Sequence, residues 1–208
     1  LRRQRQMCIR DSHHQQHQVR QDLEECCAPA DRRVGELSVA ILPDVEILTL
    51  VRRGLVTPFD HELVNPASLD VRLGDNLLVE IPTSYSMVPY SIADCSKDKP
   101  YMLQPHEFVL AETLEEFYLP DCIAGQLTLK SSRAREGIEH LLAGYVDPGY
   151  KGRLTLELQN ARTMHPVPLW PGMRIAQLVF HRLSMLPSRD YSVTGRYYGD
   201  TTVQGSKG

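Results

Sequence analysis

Residues 130–137 read Lys130-Ser131-Ser132-Arg133-Ala134-Arg135-Glu136-Gly137, which sets three cations and two hydroxyls side by side at the end of a predicted strand. Cationic side chains, serine hydroxyls and open backbone N–H groups are the groups that hold a polyphosphate. On composition alone a solvated charged loop is the commoner outcome for such a stretch. A second set of cations, Arg189, Arg196 and Lys207, lies in or beside a Gly/Tyr/Thr-rich stretch over residues 190–208. That stretch could fold over an anionic ligand or simply trail as a disordered end. Asp147 opens the turn Asp147-Pro148-Gly149, where proline fixes φ and glycine tolerates a positive one. An acid there is more often a turn residue than a ligand.

Glu157 is the carboxylate with the most informative context. In Arg153-Leu154-Thr155-Leu156-Glu157-Leu158-Gln159, leucine alternates with polar residues, so a strand would send the leucines to a core and Thr155 and Glu157 to the opposite face. Alternation places the residue and goes no further, because a glutamate on a polar strand face is usually a solvated one.

Several chemistries can be set aside on their motifs. Zinc nucleobase deaminases need His-x-Glu and a later Pro-Cys-x-x-Cys. No Cys-x-x-Cys is present, and the pairs His61-Glu62 and His106-Glu107 have the wrong spacing. The glycine-rich Rossmann and P-loop signatures are missing, as is the Gly-x-Ser-x-Gly of a nucleophile elbow.

The elements that must hold these residues are mostly strands. Pro43-Asp44 opens a run with Ile47, Leu48 and Val51 at helical spacing, stopped at Gly54, which predicts one short helix. Beyond it, apolar or alternating runs at 69–73, 77–81, 108–111, 123–129, 154–158 and 175–180 predict strands. Asn65-Pro66, Gly74-Asp75-Asn76, Asp147-Pro148-Gly149 and Pro171-Gly172 punctuate them as turns. Short strands separated by turn residues indicate an antiparallel jelly roll or barrel. No 20–50-residue repeat interrupts this single β domain.

At 208 residues, 42% hydrophobic and 24% charged, the chain suits one globular domain. No apolar run reaches the ~18 residues of a membrane span, and a net charge of −3 gives no general pull toward nucleic acid. Five cysteines without framework spacing point to a reduced, cytoplasmic protein. Residues 1–37 differ in character. They are Arg-, Gln- and His-rich, and Met7-Cys8-Ile9-Arg10-Asp11-Ser12 looks like a translated library adapter, so a disordered or artefactual extension is expected. The alternative, a metal site of His13, His14 and His17 with Cys26 or Cys27, lacks apolar periodicity to build a scaffold.

Six blocks, in order, resemble the dCTP deaminases of the trimeric dUTPase-like superfamily. They are Ile41-Leu42-Pro43-Asp44, then Val64-Asn65-Pro66-Ala67-Ser68-Leu69-Asp70-Val71-Arg72-Leu73-Gly74, then Ser131-Ser132-x-x-Arg135-x-Gly137. Ala143-Gly144-x-x-Asp147-Pro148-Gly149-Tyr150-x-Gly152-x-x-Thr155-Leu156-Glu157-Leu158-x-Asn160 follows, then Trp170-Pro171-Gly172-Met173-x-Ile175-x-Gln177 and a tail of the Tyr191…Gly195-Arg196-Tyr197-x-Gly199 kind. The resemblance implies a mostly β, dUTPase-like distorted jelly roll or β-barrel with a short N-terminal helix. It divides the chain into the extension 1–37, a β domain over 38–190 and a mobile tail over 191–208 that closes on the triphosphate.

The resemblance also assigns roles. Glu157 becomes the general base, and Ser131 with the backbone of Ala143 would hold the attacking water while Arg135 orients the carboxylate or stabilises developing charge. Lys130, Ser132, Arg133, Ala134, Asp147, Thr155, Leu156, Tyr191, Arg196 and Asp200 would contact dCTP. Mg²⁺ would arrive with the triphosphate, not on direct protein ligands, and no zinc is implied. The site is expected to be shared between the subunits of a homotrimer, with no nucleic-acid or membrane partner. Two departures stand out: Arg196 replaces a usual lysine, and Asp200 a usual glutamine, which sets a negative charge near a polyanion. Deamination to dUTP and ammonia is the first expectation. A bifunctional enzyme running on to dUMP and pyrophosphate comes second, and a non-catalytic nucleotide-binding trimer is the alternative of another class.

Overall fold

The computed structural model describes residues 40–141 and 143–208. The extension 1–37, with its histidines and Cys26 and Cys27, lies outside them. After β1 (Ala40–Ile41) comes helix α1 (Asp44–Arg52), the predicted one. Pro43 caps it, Asp44 and Glu46 occupy its first turn and Arg52 its last, each charge suited to the helix dipole. Ile47 and Leu50 are buried beneath it.

The strands then run β2 (Val56–Thr57), β3 (Val64–Asn65), β4 (Ser68–Ile81), β5 (Ser84–Ser91), β6 (Tyr101–Leu103), β7 (Phe108–Tyr118) and β8 (Ile123–Leu129). Helix α2 (Ser131–Glu136) follows, then β9 (Ile138–His140), β10 (Tyr145–Val146), β11 (Lys151–Asn160), β12 (Val167–Leu169), β13 (Arg174–Arg182) and helix α3 (Tyr191–Thr194). All named strand pairs are antiparallel, in the order β10-β8-β13-β4-β7-β11-β9, with β12 and β6 forming a separate ribbon. The large sheet curls around one apolar core that includes Leu69, Val71, Leu73, Leu77, Phe117, Leu156, Leu158 and Phe180. This is the expected mostly β architecture.

Two local readings are corrected. Gly74-Asp75-Asn76 does not end a strand; β4 runs through it with a register shift between Leu73 and Leu77, and passes from pairing with β13 to pairing with β7. A Cβ on Gly74 would lie 2.5 Å from Cγ of Glu112, so glycine is there for close approach of a neighbouring side chain, not for a turn. Residues 131–136 are helical, not an open loop: Lys130 caps α2 and Gly137 ends it at φ 101°.

The polar interior is paired. Asp70, Glu112 and Glu115 are essentially fully buried. Lys130 Nζ holds Asp70 at 2.6 Å, Arg153 Nη1 holds Glu112 at 2.8 Å, and Arg72 Nε holds Glu115 at 2.6 Å. Burial pushes the Glu115 carboxyl up while Arg72 pulls it back. No helix among the described residues is long and apolar enough to cross a membrane.

Candidate active site

The outward face of β11 forms one wall of a cavity of about 950 Å³. Strand alternation delivers Arg153, Thr155 and Glu157 to that wall and sends Leu154, Leu156 and Leu158 into the core. The 143–147 segment, including Ala143, Tyr145 and Asp147, closes a second side. Gly149, at φ +79°, lets the Asp147-Pro148-Gly149 turn fold back, with the Tyr150 N–H donating to the Asp147 carbonyl at 3.2 Å. Tyr191, Tyr197, Asp200 and residues 204–206 bring the C-terminal stretch over the cavity.

That stretch is anchored on its own chain. Asp200 bridges Gly152 in parallel, and its carbonyl accepts from Arg153 N–H at 2.8 Å. The Val203 N–H donates to Glu112 at 2.8 Å, and the Gln204 N–H donates to Thr155 Oγ1 at 3.3 Å. Lys207 Nζ sits 2.8 Å from the Asp200 carboxylate, so the charge that departs from the family pattern has a cation of its own.

Glu157 is 25% exposed, and burial pushes its carboxyl above the usual carboxylate range while its own backbone N–H pulls it down. Its Oε2 is buried without a hydrogen-bond partner. At 3.8 Å stands Nε2 of His140, also buried and also without a partner; burial holds that imidazole below its usual value. A carboxyl raised by burial beside a nucleotide-sized cavity is suited to general acid–base work on a bound ring.

Among the expected site residues, Ala143, Asp147, Thr155, Tyr191 and Asp200 join Glu157 at the cavity. The α2 set does not line it. Ser131, Ser132, Ala134 and Arg135 are exposed on that helix, and half-buried Arg133 pairs with Glu136 and lies over the Trp170 ring at 5.7 Å. Lys130, expected at the triphosphate, spends its ammonium on Asp70. Leu156 is fully buried, so any ligand contact must come from its main chain. Arg196 is exposed and lies off the cavity wall. Among the described residues no group of three or more His, Cys, Asp or Glu side chains is arranged to hold a metal ion.

Sequence reading missed His140, along with Arg153 and residues 204–206 at the cavity. A signal existed for the first. In Ile138-Glu139-His140, alternation puts His140 on the same side as buried Ile138, an unusual place for an imidazole.

Residues 41–183 match the family described as dCTP deaminase-like. The chain belongs to that family. It is 40% identical over 173 residues to a protein of Mycolicibacterium vanbaalenii named "dCTP deaminase, dUMP-forming", covering 76% of this chain and 90% of that one. A Mycobacterium marinum protein of the same name is 41% identical over 149 residues, 67% of this chain and 78% of the relative. The fold resembles the crystal structure of a 2′-deoxycytidine 5′-triphosphate deaminase from Agrobacterium tumefaciens, with a TM-score of 0.57 at 22% identity. That match covers 69% of this chain and 48% of the other, so the chain spans about half that protein's length. Membership makes it an enzyme of the dCTP deaminase family with a dUTPase-like fold.

Proposed function

We propose that this chain deaminates dCTP and carries the product through to dUMP and pyrophosphate. One observation carries the deamination: a half-buried carboxylate, Glu157, with an unpartnered oxygen at the wall of a cavity large enough for a nucleotide. The second step is favoured by the "dUMP-forming" name shared by relatives about 40% identical to it. The sequence reading ranked release of dUTP first; these relatives reverse that order.

Ionised Glu157 takes a proton from water as the oxygen adds to C4 of cytosine, and passes it to N3. Glu157 then takes the proton of the new C4 hydroxyl and delivers it to the amine, the C4–N bond breaks as C4=O forms, and ammonia leaves behind the uracil ring. A second water then attacks the phosphate chain, separating dUMP from pyrophosphate. Each proton transfer by a positioned carboxylate contributes about 10²–10⁴-fold. The backbone of Ala143 and the hydroxyl of Ser131 are proposed to orient the first water, and Arg135 to orient Glu157.

Ser131 and Arg135 lie on α2, away from the Glu157 cavity of the same chain. The reading therefore includes a homotrimer in which α2 of a neighbouring subunit completes the site. Ser132, Arg133 and Ala134 of that helix, with Lys130 at its cap, would face the phosphates. Tyr191, Arg196 and the tail would cover them, and Asp147, Thr155 and the Leu156 main chain would meet the nucleoside. Mg²⁺ would arrive with the triphosphate, not on direct protein ligands, and would offset part of its charge. We place the enzyme in the cytoplasm with its deoxynucleotide substrate.

Ammonia and pyrophosphate measured together from dCTP test this reading. Equal amounts are expected. Ammonia without pyrophosphate would return the assignment to dUTP formation, and neither product would leave the non-catalytic nucleotide-binding trimer.

A further inference from the structure

His140 and Glu157 leave two polar atoms buried and unsatisfied within 3.8 Å of each other. Leaving a buried donor or acceptor unsatisfied is costly, so native folds keep few of them without a reason. The two sit on adjacent strands, since His140 of β9 lies opposite Leu158 of β11, next to Glu157. Leu141 N–H also reaches the Glu157 carbonyl at 3.4 Å, which ties the end of β9 to the catalytic strand. The His140 side chain is 5% exposed.

From this geometry we infer that His140 is a positioning residue for Glu157. Its neutral Nε2–H donates to Oε2 of the ionised carboxylate once nucleotide and water fill the cavity. A shift of under ~1 Å brings 3.8 Å into hydrogen-bond range. The contact pins one carboxylate oxygen and leaves Oε1 to work on the attacking water. It also favours the charged form of Glu157 against the burial that disfavours it. No proton changes hands between the two residues. The inference rests on Glu157 being the base.

Other charged and titratable groups reach the same cavity. They are Arg153 of β11, which is bound to Glu112 of β7, Tyr145 of β10, Asp147 and Tyr150 of the turn, Tyr85 of β5, and Tyr191, Tyr197 and Asp200 of the tail. The influences on Glu157 itself are its burial and its own backbone N–H, and burial is the influence on His140. At 3.8 Å neither group acts on the other, so His140 should move Glu157 only once the filled cavity closes that contact.

His140→Phe keeps a flat ring and removes the donor, while His140→Gln keeps an N–H. A ¹³C NMR titration of the Glu157 carboxyl, identified by its loss in Glu157→Gln, is made with the uncleavable α,β-imido-dUTP filling the cavity, so it reads the closed contact without any turnover. In His140→Phe the Glu157 titration should move upward by about one pH unit, and His140→Gln should restore most of it. The acid limb of kcat for ammonia release should move the same way, with KM for dCTP changing by less than about twofold. An unchanged titration in His140→Phe, or equal damage in both variants, overturns the inference. If His140→Phe does not fold, His140→Asn, whose shorter amide falls short of the carboxylate, makes the same comparison. A wild-type protein that releases no ammonia would sink the functional reading, and the NMR titration would still decide the role of His140.

Discussion

Glu157 carries opposite consequences for catalysis and stability. Burial raises its carboxyl, so the fold prefers the neutral form while the proposed reaction needs the charged one. A group raised in the folded state contributes its stability below the unfolded value and loses it as pH climbs through the folded value. At neutral pH the folded protein therefore carries the cost of an ionised Glu157. Glu157→Gln should melt about 2 °C higher than the wild type near pH 7.5, with the gain gone by about pH 4 where both side chains are neutral. Calorimetry at the two pH values checks this, and a lower Tm for the variant at pH 7.5 would contradict it. The placement of Glu157 on the polar face was legible from three alternating leucines. Its burial was not, because the cover comes from residues 143–147 and 204–206, which no local pattern links to β11.

At the scale of elements, the core strands and α1 follow from periodicity and punctuation. The readings that changed did so for nonlocal reasons. Gly74-Asp75-Asn76 has the composition of a turn, yet Glu112 from β7 occupies the space a Cβ would need and β4 continues past it. The cationic residues 131–136 lack an apolar stripe, and they form a helix between the Lys130–Asp70 pair and Gly137. Glu112 also accepts from Asn76, Arg153 and the Val203 N–H, so one buried carboxylate joins β4, β11 and the C-terminal stretch. Glu112→Ala should cost about 3 kcal/mol by stranding these donors. It should also release the stretch from β11, raising amide exchange over residues 199–207 at least about tenfold. Exchange that rises no more there than elsewhere would argue against this anchoring.

For the whole molecule, the informative fact is a separation. Glu157, Asp147 and Tyr191 meet at one cavity, while Ser131 and Arg135 stand exposed on α2 and do not line it. The resemblance expects all of them in one site shared between the subunits of a homotrimer, and the separation within one chain accords with that proposal. The sequence names both halves through the Ser131-Ser132-x-x-Arg135 and Thr155-Leu156-Glu157 blocks. It is silent on which chain supplies each, because alternation and capping act within a chain. Mixing Glu157→Gln protomers with Arg135→Ala protomers tests the arrangement. A site shared between neighbours should regain about a quarter of wild-type activity, whereas a site within one chain should regain none.

The proposed reaction turns on a single side chain, and its replacement tests the proposal most directly. Ammonia release from dCTP and the affinity for dCTP should be measured on the same purified Glu157→Gln sample. Affinity within about threefold of the wild type, with turnover reduced by at least about 10²-fold, is the expected result. Turnover near the wild-type rate would contradict the assignment of Glu157 as the base.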